Sequence, residues 1–227
     1  MKKSLRAILL LLTVFATSSC KRDDQVDPVD FGYDYMPLLR GSWIEYDVDS
    51  IVYDEFNARV DTFSFIQRDE CVEAYKDLEG RTTFRFERFK RYSDTASMQF
   101  VTTYTRLVQG VRAELFENNV RTVPLVFPPK DGEDWDANAF NALGSQEYSY
   151  DYVDRTDTLG GTLFDNTLRV IQQNDTDNFI IKQFAEERYT RNVGLVYKRW
   201  FDIETQFGID SGLQWVQTIR NFSLINN

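Results

Sequence analysis

Apolar and polar residues alternate with a period of two along most of this 227-residue chain, and the 3.6-residue period of an amphipathic helix is nearly absent. Alternation of that kind puts one face of a strand in a core and the other in water, so it commits the chain to sheets. Ile44, Tyr46 and Val48 share one face after the Gly41-Ser42 turn, with Glu45, Asp47 and Asp49 on the other. An aromatic content of 15% (18 Phe, 12 Tyr, 4 Trp) supplies residue types that strands favour.

Turn signals recur at regular spacing and divide the alternating stretches into an antiparallel meander. Residues 62–75 read as a long strand whose apolar phase shifts at Val72, which predicts a bulge. After the Asp77-Leu78-Glu79-Gly80 turn, Thr82, Phe84 and Phe86 face inward while Thr83, Arg85 and Glu87 face outward. Further strands are predicted over 98–104, 111–116, 120–127, 147–154, 162–172, 179–189, 193–201 and 212–224. A short helix over 180–191 stays open, given Gln183, Ala185 and Glu186. The strongest loop signal is the Pro128 to Trp135 stretch. Gly41-Ser42-Trp43 and the later Gly132 and Trp135 form a weak internal echo. The expected fold is all-β: one curved antiparallel sheet or half-barrel of roughly nine to eleven strands, filling residues 35–227 as a single domain.

The first twenty residues behave differently. Lys2, Lys3 and Arg6 precede a ten-residue apolar run from Ala7 to Ala16, interrupted only by Thr13, too short to span a hydrocarbon layer of roughly 30 Å but suited to a signal peptide. Thr17, Ser18 and Ser19 then lead into Cys20. The stretch Ala16-Thr17-Ser18-Ser19-Cys20 resembles the looser lipobox of Bacteroidota lipoproteins, with Thr17 where the strict pattern has Leu. The resemblance implies a signal helix within residues 1–19, cleavage after Ser19, and lipidation of Cys20 by diacylglyceryl transfer and N-acylation (palmitate-type chains). A thiol is the side chain suited to a thioether link, and several acyl chains give stable anchoring. The acidic pair in Lys21-Arg22-Asp23-Asp24-Gln25 resembles the signal that sends such lipoproteins to the outer leaflet of the outer membrane. Residues 20–34 then read as a flexible lipidated tether without regular structure. The implied partners are the membrane, through Cys20, and the lipoprotein-processing machinery.

A second resemblance lies in Glu187 to Tyr197, which is similar to the Y-A-x-G-V-G-x-V segment of uncharacterised bacterial envelope proteins with curved antiparallel sheets. It implies a sheet like the lipocalin-like or LolA/LolB-like half-barrels, with a tight turn at Asn192, where the family often has Gly. Asn tolerates the left-handed backbone such a turn requires.

Composition excludes several functions. With no histidine, neither a Ser-His-Asp nor a Cys-His pair can form, nor a zinc site of the HExxH type. Three of the 26 basic residues fall in the leader, so the remaining 23 stand against 36 acidic ones, a net −13 that argues against a nucleic-acid partner. Lipidated Cys20 leaves Cys71 alone, read as a small buried hydrophobe. Asp134-Trp135-Asp136-Ala137-Asn138 has the start of a calcium-loop spacing, but Ala139 and Ser145 occupy the glycine and glutamate positions, so no metal is expected. Arg85, Arg88, Lys90 and Arg91, interleaved with Phe84, Phe86 and Phe89, read as a solvated strand face that crosses over at a bulge. Ser50, Thr95 and Thr158 lie in D-[ST]-aliphatic triplets resembling Bacteroidota O-glycosylation acceptors, the second and third in expected turns. Trp43, Trp200 and Trp215 are expected in or beside the core, whereas Trp135 is either an exposed ligand platform or a plug at one end of the sheet.

These observations describe an outer-membrane lipoprotein without catalytic activity or cofactor, binding an apolar ligand in a phenylalanine-lined concave face or docking an envelope partner. The alternative is a surface glycan binder or a carboxylate-based glycan hydrolase.

Overall fold

The computed structural model describes residues 29–224. The signal helix, Cys20 and the first part of the tether lie outside the described residues. The body from Phe31 onward is a compact unit that contains every strand and every buried cluster. Among the described residues no helix is long and apolar enough to cross a membrane.

The strands are β1 (Trp43–Asp54), β2 (Arg59–Lys76), β3 (Thr82–Arg91), β4 (Gln99–Gln109), β5 (Arg112–Glu117), β6 (Val120–Thr122), β7 (Asp134–Asp136), β8 (Glu147–Leu159), β9 (Thr162–Asp175), β10 (Ile181–Thr190), β11 (Gly194–Gln206) and β12 (Ile209–Ser223). All twelve form one open sheet in the order β6-β5-β4-β3-β2-β1-β12-β11-β10-β9-β8-β7, and every pairing is antiparallel. The fold is therefore all-β, as the alternation requires. It consists of two six-strand meanders joined along β1 and β12, the first and last strands. The two echoing tryptophans belong to the first strand of each meander: Trp43 opens β1 and Trp135 lies within β7.

The bulge expected at Val72 is present, as a register shift against β3 between Cys71 and Glu73. Residues 181–190 form a strand, which settles the strand-or-helix alternative. The twelfth strand, one more than the sequence indicates, is β7 inside the stretch read as loop. Three residues are too few to display a period. The strand expected over 120–127 is interrupted, because Pro124 has no N–H for the ladder and the segment rejoins β5 one register out, at the Arg112 to Val126 bridge. β11 and β12 extend further than expected, because Phe207 and Gly208, both at positive φ, form a two-residue type I′ turn between Gln206 and Ile209.

The segment between β6 and β7 binds both edges of the sheet. On one side Ala113 donates to the Leu125 carbonyl at 2.9 Å and Phe127 to that of Val111 at 2.8 Å. On the other, the Tyr150 hydroxyl on β8 donates to the Val126 carbonyl at 2.6 Å and accepts from its N–H at 3.0 Å. Trp135 completes the strap by donating its indole N–H to the Val123 carbonyl at 2.8 Å.

The chain enters the body at one end of the rolled sheet. Residues up to 34 were expected to be irregular, but Tyr33–Tyr35 form a 3-10 turn. Tyr35 is completely buried beside Met36, Leu125, Tyr150 and Leu168. Its hydroxyl donates to Asp154 at 2.6 Å, Arg191 pairs with both Asp154 and Asp34, and Asn192 donates to the Asp34 carbonyl. Asn192 takes the left-handed backbone (φ 61°) expected of the turn between β10 and β11.

At Gly212 (φ 137°) a Cβ would sit 2.1 Å from the Asp202 carbonyl oxygen, whereas at Gly144 it would meet nothing. Gly212→Ala is expected to lower stability by at least about 2 kcal/mol and Gly144→Ala to change it by less than about 0.5 kcal/mol. Urea unfolding of the two variants checks both.

Candidate functional site

The inner face of the roll is set by strand parity. From β2 it receives Phe63, Phe65, Gln67 and Asp69, and from the adjoining β1 Tyr46, Val48 and Ser50 in register with them. From β12 and β11 come Trp215 and Gln217, opposite Trp200 and Lys198. Ser50, Phe63, Phe65 and Gln67 on one side and Lys198, Trp200, Trp215 and Gln217 on the other line a cavity of about 720 Å³. That lies within the roughly 300–1,000 Å³ range of small-molecule sites.

The cavity has two chemically distinct zones. Toward the end bearing the 55–58 and 207–208 hairpins its wall is aromatic and apolar: Phe63, Phe65, Tyr92, Val101, Trp200 and Trp215. Phe63 (55% exposed) and Tyr92 (62%) mark this as the mouth. The two indoles stack at 6.4 Å, and Phe65 meets Trp215 edge-on at 5.6 Å. Deeper in, the wall turns polar. Arg88 makes a bidentate pair with Asp69 at 2.8 and 2.9 Å and reaches Glu117 at 2.8 Å. Asp69 also accepts from Tyr104 (2.9 Å) and Gln67 (3.3 Å). Across the cavity Glu187 accepts from Lys198 at 2.8 Å and from Tyr189 at 2.5 Å. Burial pushes the Glu187 carboxyl upward, but the Lys198 ammonium and these two hydrogen bonds prevail and hold it below the usual carboxylate range.

Arg106 lies at the junction between the cavity and a narrow extension below it that Tyr46, Asp69 and Tyr104 help to line. Its guanidinium stands 5.1 and 5.2 Å from the rings of Tyr104 and Phe86, which are themselves stacked. Its Nε is buried without a hydrogen-bond partner.

The residues named from sequence fall in separate places. Ser50 lines the cavity between Phe63 and Trp215 in register. Thr95 is exposed in the β3–β4 turn, and Thr158 is exposed on β8, paired with Leu163, rather than in a turn. Trp135 is half-buried against Tyr148 and Tyr150, tied to Val123, and lines a separate surface pocket with Phe140 and Arg112. The Asp136 carboxylate is occupied by the N–H groups of Asn138 (2.9 Å) and Gln146 (3.0 Å). Cys71 is fully buried and unpaired, and burial pushes its thiol up to about 11.

Two expectations need correcting. Arg88 and Lys90 do not sit on a solvated face. They continue the parity of Phe84 and Phe86 and point into the cavity, while Arg85 points outward to Glu73 and Glu87. Nor do phenylalanines dominate the cavity wall. Phe56, Phe179 and Phe207 stand almost fully exposed at loop tips, and two tryptophans and Tyr92 carry much of the mouth. Arg106, Lys198, Glu117 and Glu187 were not singled out from sequence.

No family model matches the chain, and no curated protein matches it. Among solved structures it is similar to one described as an exported protein with YmcC-like fold from Bacteroides fragilis NCTC 9343, at a TM-score of 0.45 and 12% identity, over 83% of this chain and 98% of that one. It is also similar to one described as a lipoprotein from Parabacteroides distasonis ATCC 8503, at a TM-score of 0.43 and 11% identity, over 86% and 100% of the respective chains.

Two outcomes follow from the buried groups. Because the Glu187 pKa is depressed on folding, its contribution is full above the ordinary carboxylate range and is lost as pH falls through the lowered folded value. Glu187→Gln should therefore destabilise by about 3 kcal/mol at pH 7, with the deficit shrinking toward zero as wild type is acidified, in paired urea titrations. The Cys71 thiol should resist a disulfide reagent at pH 8 in the folded chain and react at once in denaturing urea.

Proposed function

We propose that this protein is a lipid-anchored envelope lipoprotein, held to the outer membrane through Cys20, that binds an apolar ligand inside its rolled sheet and does no chemistry on it. The observation that carries the reading is the cavity itself: about 720 Å³, walled at its mouth by Trp200, Trp215, Phe63 and Phe65. A roll built only as scaffold would fill that space, since large unfilled apolar cavities forfeit stability.

The disposition of the carboxylates favours binding over hydrolysis. A glycosidase of the two-carboxylate type needs one acid kept protonated near neutral pH. Both glutamates lining this cavity are ion-paired instead, Glu117 to Arg88 and Glu187 to Lys198, and Glu187 is shifted in the opposite direction from a general acid.

Native mass spectrometry of the chain beginning at Lys21, purified from its own host without detergent, should show a retained apolar adduct. Ser50→Trp, which fills the mouth between Phe63 and Trp215, should remove the adduct while preserving the β-sheet circular dichroism. Uniformly bare protein in wild type would count against the binding role.

A further inference from the structure

We infer that the ligand is an amphipathic anion, seated with its acidic group at Arg106 and its apolar body against the aromatic mouth. This rests on the ligand-binding reading above and specifies the ligand's chemistry.

The inference starts from a charge imbalance. The chain as a whole carries −10, yet the ionised groups in and immediately below this cavity are four cations, Arg88, Lys90, Arg106 and Lys198, against three carboxylates, Asp69, Glu117 and Glu187. Pairing does not consume the cations evenly. Arg88 holds Asp69 and Glu117, and Lys198 holds Glu187. Among the described residues the Arg106 side chain makes no hydrogen bond or ion pair, and its Nε is buried. Asp69, which it feels only through space, is already occupied on both oxygens: Oδ1 by Arg88 and Gln67, Oδ2 by Arg88 and Tyr104. Lys90, nearer the mouth, has only the Tyr92 ring, 5.5 Å away.

Arg106 feels the charge of Asp69 and Glu187, but both carboxylates are already hydrogen-bonded to other groups, so its own donors stay unused; a cation so placed in a cavity is suited to receive a ligand's negative charge. The guanidinium is fixed by the stacked Phe86 and Tyr104 rings and keeps its planar donor edge free, which suits an incoming carboxylate or phosphate. Its position at the inner end and the tryptophans at the outer end set the polarity of binding: head inward, chain outward. A neutral apolar ligand would leave the Arg106 donors without an acceptor.

Isothermal titration of the chain beginning at Lys21, which keeps every strand and buried cluster, tests this with dodecanoic acid, dodecyl phosphate and dodecanol below their micelle-forming concentrations. Wild type is expected to bind at least one of the two anions roughly 10- to 100-fold more tightly than the alcohol, the worth of a charge-assisted hydrogen-bonded pair. Which anion is favoured distinguishes a carboxylate from a phosphate ligand. Arg106→Met should bring anion binding down toward the level of the alcohol while the β-sheet circular dichroism is retained. Equal binding of acid, phosphate and alcohol to wild type, a comparison that needs no variant, overturns the anionic inference and leaves the apolar-ligand reading standing. A preference that survives in folded Arg106→Met also overturns it. Failure of all three amphiphiles to bind overturns the ligand-binding reading and this inference with it.

Discussion

The length of the segment between β6 and β7 governs this architecture. Twelve strands laid flat at about 4.8 Å spacing would place the two edge strands roughly 53 Å apart. The connection from Thr122 to Asp134 is 12 residue steps long, which at full extension covers about 40 Å. A flat sheet is therefore out of reach of its own chain, and the meanders must roll toward each other. The segment then hydrogen-bonds to both edges, through Ala113 and Phe127 on the β5 side and through the Tyr150 hydroxyl on the β8 side. Pairing of β1 with β12 joins the meanders along their other border, so a sheet whose ladder never closes still encloses a volume.

An enclosed volume has two ends, and the sequence finishes them differently. Tyr35 and its partners Asp154 and Arg191 seal the end where the chain enters. The other end keeps Phe63 and Tyr92 partly in solvent and remains open. Between them lies the ion-paired belt of Arg88, Asp69, Glu117, Glu187 and Lys198. Such a belt survives burial only because nearly all its members are mutually satisfied; removing one partner of a buried pair costs about 3–5 kcal/mol.

Strand parity made much of this legible. Val72 announced its bulge, Asn192 its left-handed turn, and Phe84 and Phe86 their inward face. The same parity extended by two and four residues would have put Arg88 and Lys90 inside. They were read as solvated because charge is ordinarily a surface signal. That rule fails where the neighbouring strand contributes the neutralising carboxylate, as Asp69 on β2 does directly opposite Arg88 on β3. The cavity was not legible for a related reason. Trp200 and Trp215 have the same period whether they pack against each other in a filled core or stand around a space, and the difference depends on how far the roll closes. β7 escaped because three residues hold no period, and the strap escaped because Pro124 breaks the alternation at the point where the segment begins to bridge two edges.

Among the described residues, Arg106 is a cation in the cavity wall whose donors the fold's own hydrogen-bond network leaves unused. The sheet ladders, the sealed end and the paired belt each lower the free energy of the folded chain, whereas an unfilled aromatic mouth and an unpartnered guanidinium both raise it. Local rules broken without compensation inside an otherwise consistent structure tend to mark the place where a protein gives up stability for function. Here the two departures are adjacent, one lacking apolar contact and the other lacking a hydrogen-bond acceptor, and a single amphipathic anion would supply both.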